Sequence, residues 1–328
     1  MNPLAYSVGG LLYTPADSDT FATHVIRGDW PDLTAVCLCL EDSIQDAALS
    51  RAEARLVRTL DALGQADPAR AAGSAMPLVF VRVRSPEHLA HVHARLGASA
   101  DVLTGYVFPK FDLTNGEAYL AGLARINAAR SRPLVAMPIL ESPQIAQIST
   151  RREVLGALRA LFDAHRADIL NVRVGGNDFC NLFALRRSVR QSIYDLGVVR
   201  DILVDIVNVF SDAYVVSGPV WEYYGAQAGG AWEAGLRREM ALDLANGFFG
   251  KTAIHPAQLP VVRDCLKADA ADVADARQIL GWSDERRAVA GSAVAGRMNE
   301  VKCHARWAER VLLRAQVYGV REARGADE

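Results

Sequence analysis

The sequence of 328 residues lacks the features that mark secreted, membrane-spanning or nucleic-acid-binding proteins. No apolar run approaches the roughly 18 residues needed to span a bilayer, and the start MNPLAYSVGG has no basic segment ahead of an apolar stretch. The five cysteines form no CxxC pair, which argues against a disulfide framework and a thiolate zinc site. A net charge of -2 gives no positive field that would attract nucleic acid. We therefore expect a cytoplasmic protein with reduced thiols and with no nucleic-acid or membrane partner.

Eight short apolar runs alternate with helical segments. The runs are almost continuously apolar, as in TAVCLCL and PLVFVRV, which is typical of parallel strands covered on both faces. They lie near residues 7–14, 34–41, 77–83, 102–109, 133–140, 168–175, 213–219 and 248–254. The clearest helical periodicity covers residues 46–64, 115–130 and 198–213. Eight such units predict an α/β fold, a (β/α)8 TIM barrel, with an open doubly wound sheet as the alternative. No G-x-G-x-x-G turn follows the first run, which weakens the dinucleotide-binding form of that alternative.

The pattern changes after residue 262 to helical sequence rich in Ala, Arg and Glu. We therefore expect a TIM-barrel catalytic domain over residues 1–262 and a helical extension over residues 263–328. The run ARWAERVLLRAQVYG is amphipathic, and its apolar face needs a partner once the barrel has closed. The extension is thus predicted to lie at a subunit interface.

Charged residues stand at the carboxyl ends of six predicted strands. Catalytic groups of TIM barrels lie at this end of the barrel. Each residue alone could cap a helix or pair with a neighbour, but six such strand ends together predict one active-site mouth. The residues are Glu41 and Asp42 after the second strand, Arg82 and Arg84 after the third, Lys110 after the fourth, Glu141 after the fifth, Asp178 after the sixth and His255 after the eighth.

Glu141 and Asp178 end neighbouring strands, so we expect their carboxylates roughly 5–7 Å apart at a strand spacing of about 4.8 Å. Such a pair requires a shared proton, a basic partner or a bound hard cation. Mg²⁺, or Mn²⁺ in its place, suits an oxygen-rich barrel mouth and would act as a Lewis acid on a substrate carbonyl. Arg82 and Lys110 could then hold a substrate carboxylate and stabilise an enolate oxygen.

The motifs LYTPAD, LEDS, VRV, FPK, ILES, GGNDF and FGKTAIHPAQL follow one another over residues 11–260. In this order they resemble the citrate lyase β-subunit-like branch of the HpcH/HpaI aldolase superfamily. The resemblance implies a TIM barrel, assembled as a trimer or a multiple of it, with magnesium on Glu141 and Asp178 and with Arg82 binding an anion. It also implies carbon–carbon lyase or condensing chemistry through a metal-bound enolate, often on acyl-coenzyme A substrates.

Three positions depart from the family pattern. Cys39 replaces the first acid of DLED, Arg84 replaces the amide of VRVN, and Ser18 replaces the arginine of LYVPGDR. A lost acid and an added cation predict a changed substrate, and Ser18 predicts weak coenzyme A binding. We expect a compact oxo- or hydroxy-acid with two acidic groups. The predicted substrate-binding set is Arg82, Arg84, Lys110 and His255.

Together these features predict a magnesium-dependent carbon–carbon lyase, aldolase-like or citrate-lyase-like, for a small oxo- or hydroxy-acid or its acyl thioester. Asp42, Glu300 of a neighbouring subunit and a metal-bound water are alternative bases. A thioester hydrolase or synthase of the same fold stays open, as does a non-catalytic barrel subunit of a biosynthetic complex. We expect a homotrimer or a hexamer. The predicted catalytic set is Arg82, Asp42, Glu41, Lys110 and Glu300.

Three further clusters have plainer interpretations. We expect His88, His91 and His93 to lie around the surface helix that follows the third strand, not on one face of it, rather than to bind zinc, which would need further ligands. Residues 221–224 form either a pocket wall or a packed loop. The arginines of RRSVRQS, residues 186–192, are expected on a solvated helix face rather than at a phosphate site.

Overall fold

The structure, a computed structural model, describes residues 2–67, 76–294 and 296–321, so residues 322–328 of the predicted extension lie outside it. The chain forms two compact units. One comprises residues 8–262, and the other combines the described residues before Val8 with those from Arg263 onward. Residues 2–7, which are predicted from the sequence as part of the barrel, therefore belong to the second unit. A place for the second unit at a subunit interface stays a prediction.

Eight parallel strands form the sheet of the larger unit. They are β1 Gly10–Pro15, β2 Ala35–Cys39, β3 Leu78–Arg82, β4 Gly105–Phe108, β5 Val135–Leu140, β6 Val172–Val174, β7 Val216–Ser217 and β8 Lys251–Ala253. Their order is β7-β6-β5-β4-β3-β2-β1-β8, so β1 lies between β2 and β8. A parallel bridge between Gly218 and Lys251 then joins the two ends of the sheet. This arrangement confirms the predicted TIM barrel and excludes the open sheet.

The helices follow the strands as the sequence predicts. They are α1 Pro3–Ser7, α2 Phe21–Arg27, α3 Leu49–Ala66, α4 Pro86–Leu96, α5 Gly116–Asn127, α6 Pro143–Ala146, α7 Ile148–Ala164, α8 Gly176–Leu182, α9 Gly197–Phe210, α10 Gly230–Ala245, α11 Gln258–Leu266, α12 Ala270–Leu280 and α13 Val301–Tyr318. The three clearest predicted helices correspond to α3, α5 and α9. No helix among the described residues is long and apolar enough to cross a membrane.

Alternation along the strands separates two sets of side chains. Leu12, Val36 and Leu38 belong to the main hydrophobic core, which also includes buried residues of the surrounding helices. The intervening residues Tyr13 and Cys37 point to the opposite face, because successive side chains of a strand alternate. That face is the barrel interior, and it is where polar strand residues can meet.

The second unit has its own small core. Helices α12 and α13 pack around Ala276, Ile279, Ala308 and Val311. Four short strands accompany them: β9 Ala268–Asp269, β10 Val289–Gly291, β11 Met298–Glu300 and β12 Val320–Arg321. The apolar face of α13, which the sequence analysis assigned to a neighbouring subunit, therefore has a partner within the unit. Its burial does not by itself require an interface.

Candidate active site

A cavity of about 270 Å³ lies at the carboxyl ends of the barrel strands. Parallel strands bring their ends to one mouth, and this position is the one at which TIM barrels carry their chemistry. The predicted residues Asp42, Arg82, Glu141 and Asp178 all line the cavity. Its wall also includes residues that the sequence analysis did not single out, among them Tyr13, Arg173, Gly175 and Thr252.

Glu141 and Asp178 converge on Gly175. Glu141 directly follows β5, Gly175 directly precedes α8, and Asp178 lies in the first turn of that helix. A Cβ atom on Gly175 would lie 2.1 Å from Glu141 Oε2 and 3.0 Å from Asp178 Oδ2. Glu141 is 4% exposed. Burial and the charge of Asp178 raise the pKa of Glu141 to about 8, although Arg82 opposes the shift.

This donor set fits a magnesium ion. The carboxylates of the buried Glu141 and the partly buried Asp178 repel each other, and such a pair is stabilised by a shared proton or by a cation. Within the described parts of the chain, no group of three or more His, Cys, Asp and Glu side chains is placed to hold a metal. A site with two protein carboxylates suits Mg²⁺, which keeps several waters and uses one or two carboxylates.

Arg82 lies at the centre of a network of carboxylates. Its Nη2 atom is 2.8 Å from Glu41 Oε2 and 3.5 Å from Glu141 Oε1, and its Nη1 atom is 3.1 Å from Asp42 Oδ2. Lys110 Nζ lies 2.6 Å from Glu41 Oε1 and 3.4 Å from Asp42 Oδ1. Arg82 and Lys110 outweigh the burial of Asp42 and lower its pKa. Arg82 lines the cavity, and its Nε atom has no hydrogen-bond partner among the described residues.

The backbone of Lys110 also supports Glu141. Its N–H donates to Glu141 Oε1 across 2.7 Å. Lys110 has a φ of 48°, a left-handed conformation that is uncommon for residues other than glycine. The Asn115 amide donates to the Lys110 carbonyl at 2.9 Å and holds this turn in place. Such conformations cluster at functional sites, because the surroundings must enforce them.

The structure does not bring Arg84 to the cavity. Its Nε donates to the Leu40 carbonyl at 2.7 Å, and its Nη atoms contact the Ile44 carbonyl and the Asp46 carboxylate. The guanidinium thus holds the loop that follows β2, the loop that carries Asp42. The predicted contact of Arg84 with substrate has no support in this geometry.

Neither His255 nor Glu300 is among the residues that line the cavity. The His255 ring stacks on Tyr224 with centroids 4.4 Å apart, and its Nδ1 accepts the N–H of Ala257 at 3.2 Å. Glu300 belongs to the second unit, where its backbone N–H donates to His304 Nδ1 at 3.0 Å. Its action in a neighbouring subunit stays a prediction.

Comparison with known proteins assigns the chain to a family. Residues 2–320 match the family model of C-C bond lyases of the TIM-barrel fold. The protein belongs to this C-C bond lyase family. The match confirms the resemblance found in the motifs and the prediction of a carbon–carbon lyase. A comparison with curated proteins gives no match.

Solved structures similar to this lyase share its fold. CitE of Mycobacterium tuberculosis, in complex with magnesium, acetoacetate and coenzyme A, is 22% identical, with a TM-score of 0.60 over 94% of this chain and 98% of that one. A complex of the same protein with magnesium and pyruvate is 20% identical, with a TM-score of 0.50 over 80% and 92%. A citrate lyase of Burkholderia xenovorans LB400 is 16% identical, with a TM-score of 0.69 over 96% and 94%.

Arg173 of the lyase is the most informative residue that the sequence analysis missed. It is the middle residue of β6, is 1% exposed and donates through Nη2 to Thr252 Oγ1 at 2.6 Å. A charged residue inside the apolar run NVRV was the available signal. Glu222, from the loop after β7, also lines the cavity, so that loop contributes to the pocket wall.

Two of the plainer interpretations need correction. His88 and His91 of the lyase share one face of α4, with Nε2 atoms 2.9 Å and 3.3 Å from the two carboxylate oxygens of Glu53. Residues three apart on a helix are neighbours, which explains the pairing. Arg187 is 1% exposed, and its guanidinium lies 5.2 Å from the Trp221 ring. It is not part of a solvated face.

Proposed function

We propose that this lyase makes or breaks a carbon–carbon bond next to the carbonyl of a small oxo- or hydroxy-acid, with Mg²⁺ held by Glu141 and Asp178. The observation that carries the proposal is the convergence of these two carboxylates on Gly175, in a cavity that also contains the Arg82 guanidinium. The CitE complexes support the choice of metal and of substrate class, since they contain magnesium with acetoacetate or pyruvate.

Three side chains of the protein would act together with the metal in this reaction. When bound, magnesium would supply Lewis acidity toward substrate oxygens. The buried Arg82 guanidinium would stabilise negative charge as it develops on the carbonyl oxygen. Asp42, kept ionised by Arg82 and Lys110, would accept the proton that is removed. Glu41 would position both cations, because it pairs with Arg82 and Lys110.

We further propose that the substrate is the free acid rather than its coenzyme A thioester. The loop after β1 carries Ser18 between two acids, Asp17 and Asp19. Asp17 lies 3.9 Å from Arg51, and Asp19 pairs with Arg55. The positive charge near Ser18 is therefore already balanced, which leaves little attraction for the phosphates of a coenzyme.

Exchange of carbon-bound protons tests the proposed chemistry. With Mg²⁺ and D₂O, the wild-type protein should exchange the methyl protons of pyruvate faster than Mg²⁺ alone, as proton NMR can measure. Asp178→Asn should abolish the exchange, whereas Asp205→Asn should retain it, because Asp205 pairs with Arg151 and does not line the cavity.

The same assay with acetyl-coenzyme A separates the other functions. Exchange of its acetyl protons in preference to those of pyruvate would contradict the free-acid proposal. Release of the coenzyme thiol without exchange would indicate a thioester hydrolase. Absence of exchange from both compounds would contradict enolate chemistry and favour a non-catalytic barrel.

We also propose that the lyase is cytoplasmic and that its chains assemble as the family resemblance implies, into a homotrimer or a hexamer built from two trimers. Exposed apolar side chains at the end of α8 and just after it support an interface there: Leu182 is 45% exposed and Phe183 is 39% exposed. Sedimentation velocity should show a trimer or a hexamer. A stable monomer at micromolar concentration would contradict this assembly.

A further inference from the structure

Arg173 is a buried cation without a paired anion. Its Nη2 donates to Thr252, while its Nε and Nη1 atoms have no hydrogen-bond partner among the described residues. Within the same parts of the chain, no carboxylate forms an ion pair with it. Burying a charge without a counter-ion destabilises the folded state. The stability of the fold therefore does not explain why the Arg173 guanidinium is buried without a carboxylate partner.

The other buried arginines of the described chain do have carboxylate partners. Arg82 lies 2.8 Å from Glu41, and Arg151 lies 2.8 Å from Asp205. Arg187, as deeply buried as Arg173, lies 3.6 Å from Glu239. Deep burial in this fold therefore does not prevent an arginine from having a carboxylate partner. Arg173 lacks one because of the residues that surround it.

The groups that interact directly with Arg173 are Tyr13, Cys37 and Thr252, none of which carries a charge, and Arg173 itself opens into the cavity. Arg173, Tyr13 and Thr252 all line it. Burial raises the pKa of the neighbouring Tyr13 phenol and of the Cys37 thiol, so both stay neutral at physiological pH. Because the Thr252 oxygen accepts a hydrogen bond from Arg173, its own O–H can donate to a ligand.

We propose that Arg173 binds a second carboxylate of the substrate and makes the lyase selective for diacids. The inference rests on the proposed function, which assigns the first acid group and the carbonyl to the site formed by Glu141, Asp178 and Arg82. The Nε and Nη1 groups of Arg173 have no partner among the described residues, and each can donate a charge-assisted hydrogen bond to a carboxylate oxygen. The Thr252 hydroxyl adds a neutral donor beside them.

Malate and lactate are matched probes, because they differ only in the replacement of a methyl hydrogen by a carboxylate. In the presence of Mg²⁺, calorimetric titration should show that wild-type protein binds malate at least about tenfold more tightly than lactate. Arg173→Met should reduce this ratio to near one by weakening malate binding, with lactate affinity changed less than about twofold. Arg173→Lys, which keeps the charge, should retain part of the preference.

Arg151→Met is the matched control, since Arg151 is also buried but lies outside the cavity lining. It should leave the malate-to-lactate ratio unchanged. A malate-to-lactate ratio that is unchanged in Arg173→Met would overturn the inference, whether the two affinities stay the same or fall equally. Lactate binding that is retained in this variant would show that the metal site is intact. Failure of both acids to bind the wild-type protein would overturn the proposed function and the inference together.

Stability supplies a readout that needs no ligand. If the charge of Arg173 serves a substrate, its removal relieves an unpaired buried cation. Ligand-free Arg173→Met should then unfold at the wild-type temperature or above it, and malate should raise that temperature less than it does for the wild type. A marked fall in the unfolding temperature of ligand-free Arg173→Met would assign the residue a structural role and overturn the inference.

Discussion

A Cβ atom on Gly175 would lie 2.1 Å from Oε2 of Glu141, far inside the contact distance of two unbonded atoms. The backbone does not demand glycine here, since Gly175 has a φ of -90°, which any residue can adopt. Glycine is required because the carboxylate occupies the space that a side chain would fill. The absence of one methyl group therefore allows Glu141 and Asp178 to share a site.

Gly175→Ala should displace Glu141 and lower Mg²⁺ affinity by about tenfold or more, as a loss of about 1.4 kcal/mol implies. Isothermal titration calorimetry measures the effect. Gly156→Ala in α7 is the control, because nothing lies within 4 Å of the added methyl group. That control should bind Mg²⁺ normally and gain about 0.5–1 kcal/mol of stability from its helical position. Normal Mg²⁺ binding by Gly175→Ala would contradict the proposed metal site.

The pKa of Glu141, raised to about 8, predicts that metal binding releases a proton. At pH 7 most Glu141 is protonated in the metal-free protein, and the carboxylate must ionise to bind a cation. Mg²⁺ binding should thus release close to one proton at pH 7 and very few above pH 9. Titration calorimetry in two buffers of different ionisation enthalpy counts these protons. Binding that is independent of buffer at pH 7 would contradict the prediction.

The same raised pKa affects the stability of the metal-free protein. The folded protein holds this proton up to about pH 8, whereas the unfolded chain loses it near the ordinary value of 4.5. The contribution of Glu141 should therefore reduce stability progressively as the pH rises from 4.5 to 8. Glu141→Gln cannot titrate, so its metal-free unfolding temperature should fall less over this interval. Parallel curves of unfolding temperature against pH for the wild type and Glu141→Gln would show that a raised pKa of Glu141 does not cause the loss of stability.

The sequence was sufficient to predict the barrel fold and most of the charged residues that line the cavity. Strand and helix periodicity is local, so eight alternating units indicate the fold before any packing is known. Strand ends meet at one mouth in this fold, which is why Glu41, Asp42, Arg82, Glu141 and Asp178 could be predicted together. All but Glu41 line the cavity, and Glu41 pairs with Arg82.

The positions of Arg84 and Arg173 could not be read from the sequence for two physical reasons. Arg82 and Arg84 are two residues apart and would share a face if β3 continued, but the strand ends at Arg82 and the alternation stops there. Arg173 lies within an apolar strand. Whether a strand residue faces the barrel interior or the helices depends on a register that the sequence pattern left open.

Arg82→Lys should lower the rate of pyruvate proton exchange by about 10²-fold or more, the scale of losing an oxyanion-stabilising donor. An ammonium group keeps the charge but cannot reach Glu41, Asp42 and Glu141 with the geometry of a planar fork. Arg151→Lys is a control of equal burial outside the cavity, and both arginines are 7% exposed. Both variants are expected to lose stability. Loss of exchange in Arg151→Lys to the same degree would mean that the effect reflects folding alone.

Arg84→Met should lower stability without altering diacid selectivity. The substitution leaves the carbonyls of Leu40 and Ile44 without their guanidinium donor, a loss of about 1–3 kcal/mol for unsatisfied groups. Asp46→Ala removes only the exposed partner of Arg84 and should cost much less, because exposed ion pairs contribute little. Urea denaturation of both variants compares the two losses.

Binding by the same Arg84→Met variant decides between the two arginines as the diacid-binding residue. Arg84 holds the loop that carries Asp42, so its removal should slow proton exchange by loosening that loop. It should not change the malate-to-lactate affinity ratio, because the Arg84 guanidinium does not line the cavity. A selective loss of malate binding in Arg84→Met, with lactate binding intact, would instead return the second carboxylate to Arg84. Arg173→Met, in contrast, is predicted to show that selective loss. If either arginine binds the second acid group, at least one of the two variants must change the malate-to-lactate ratio.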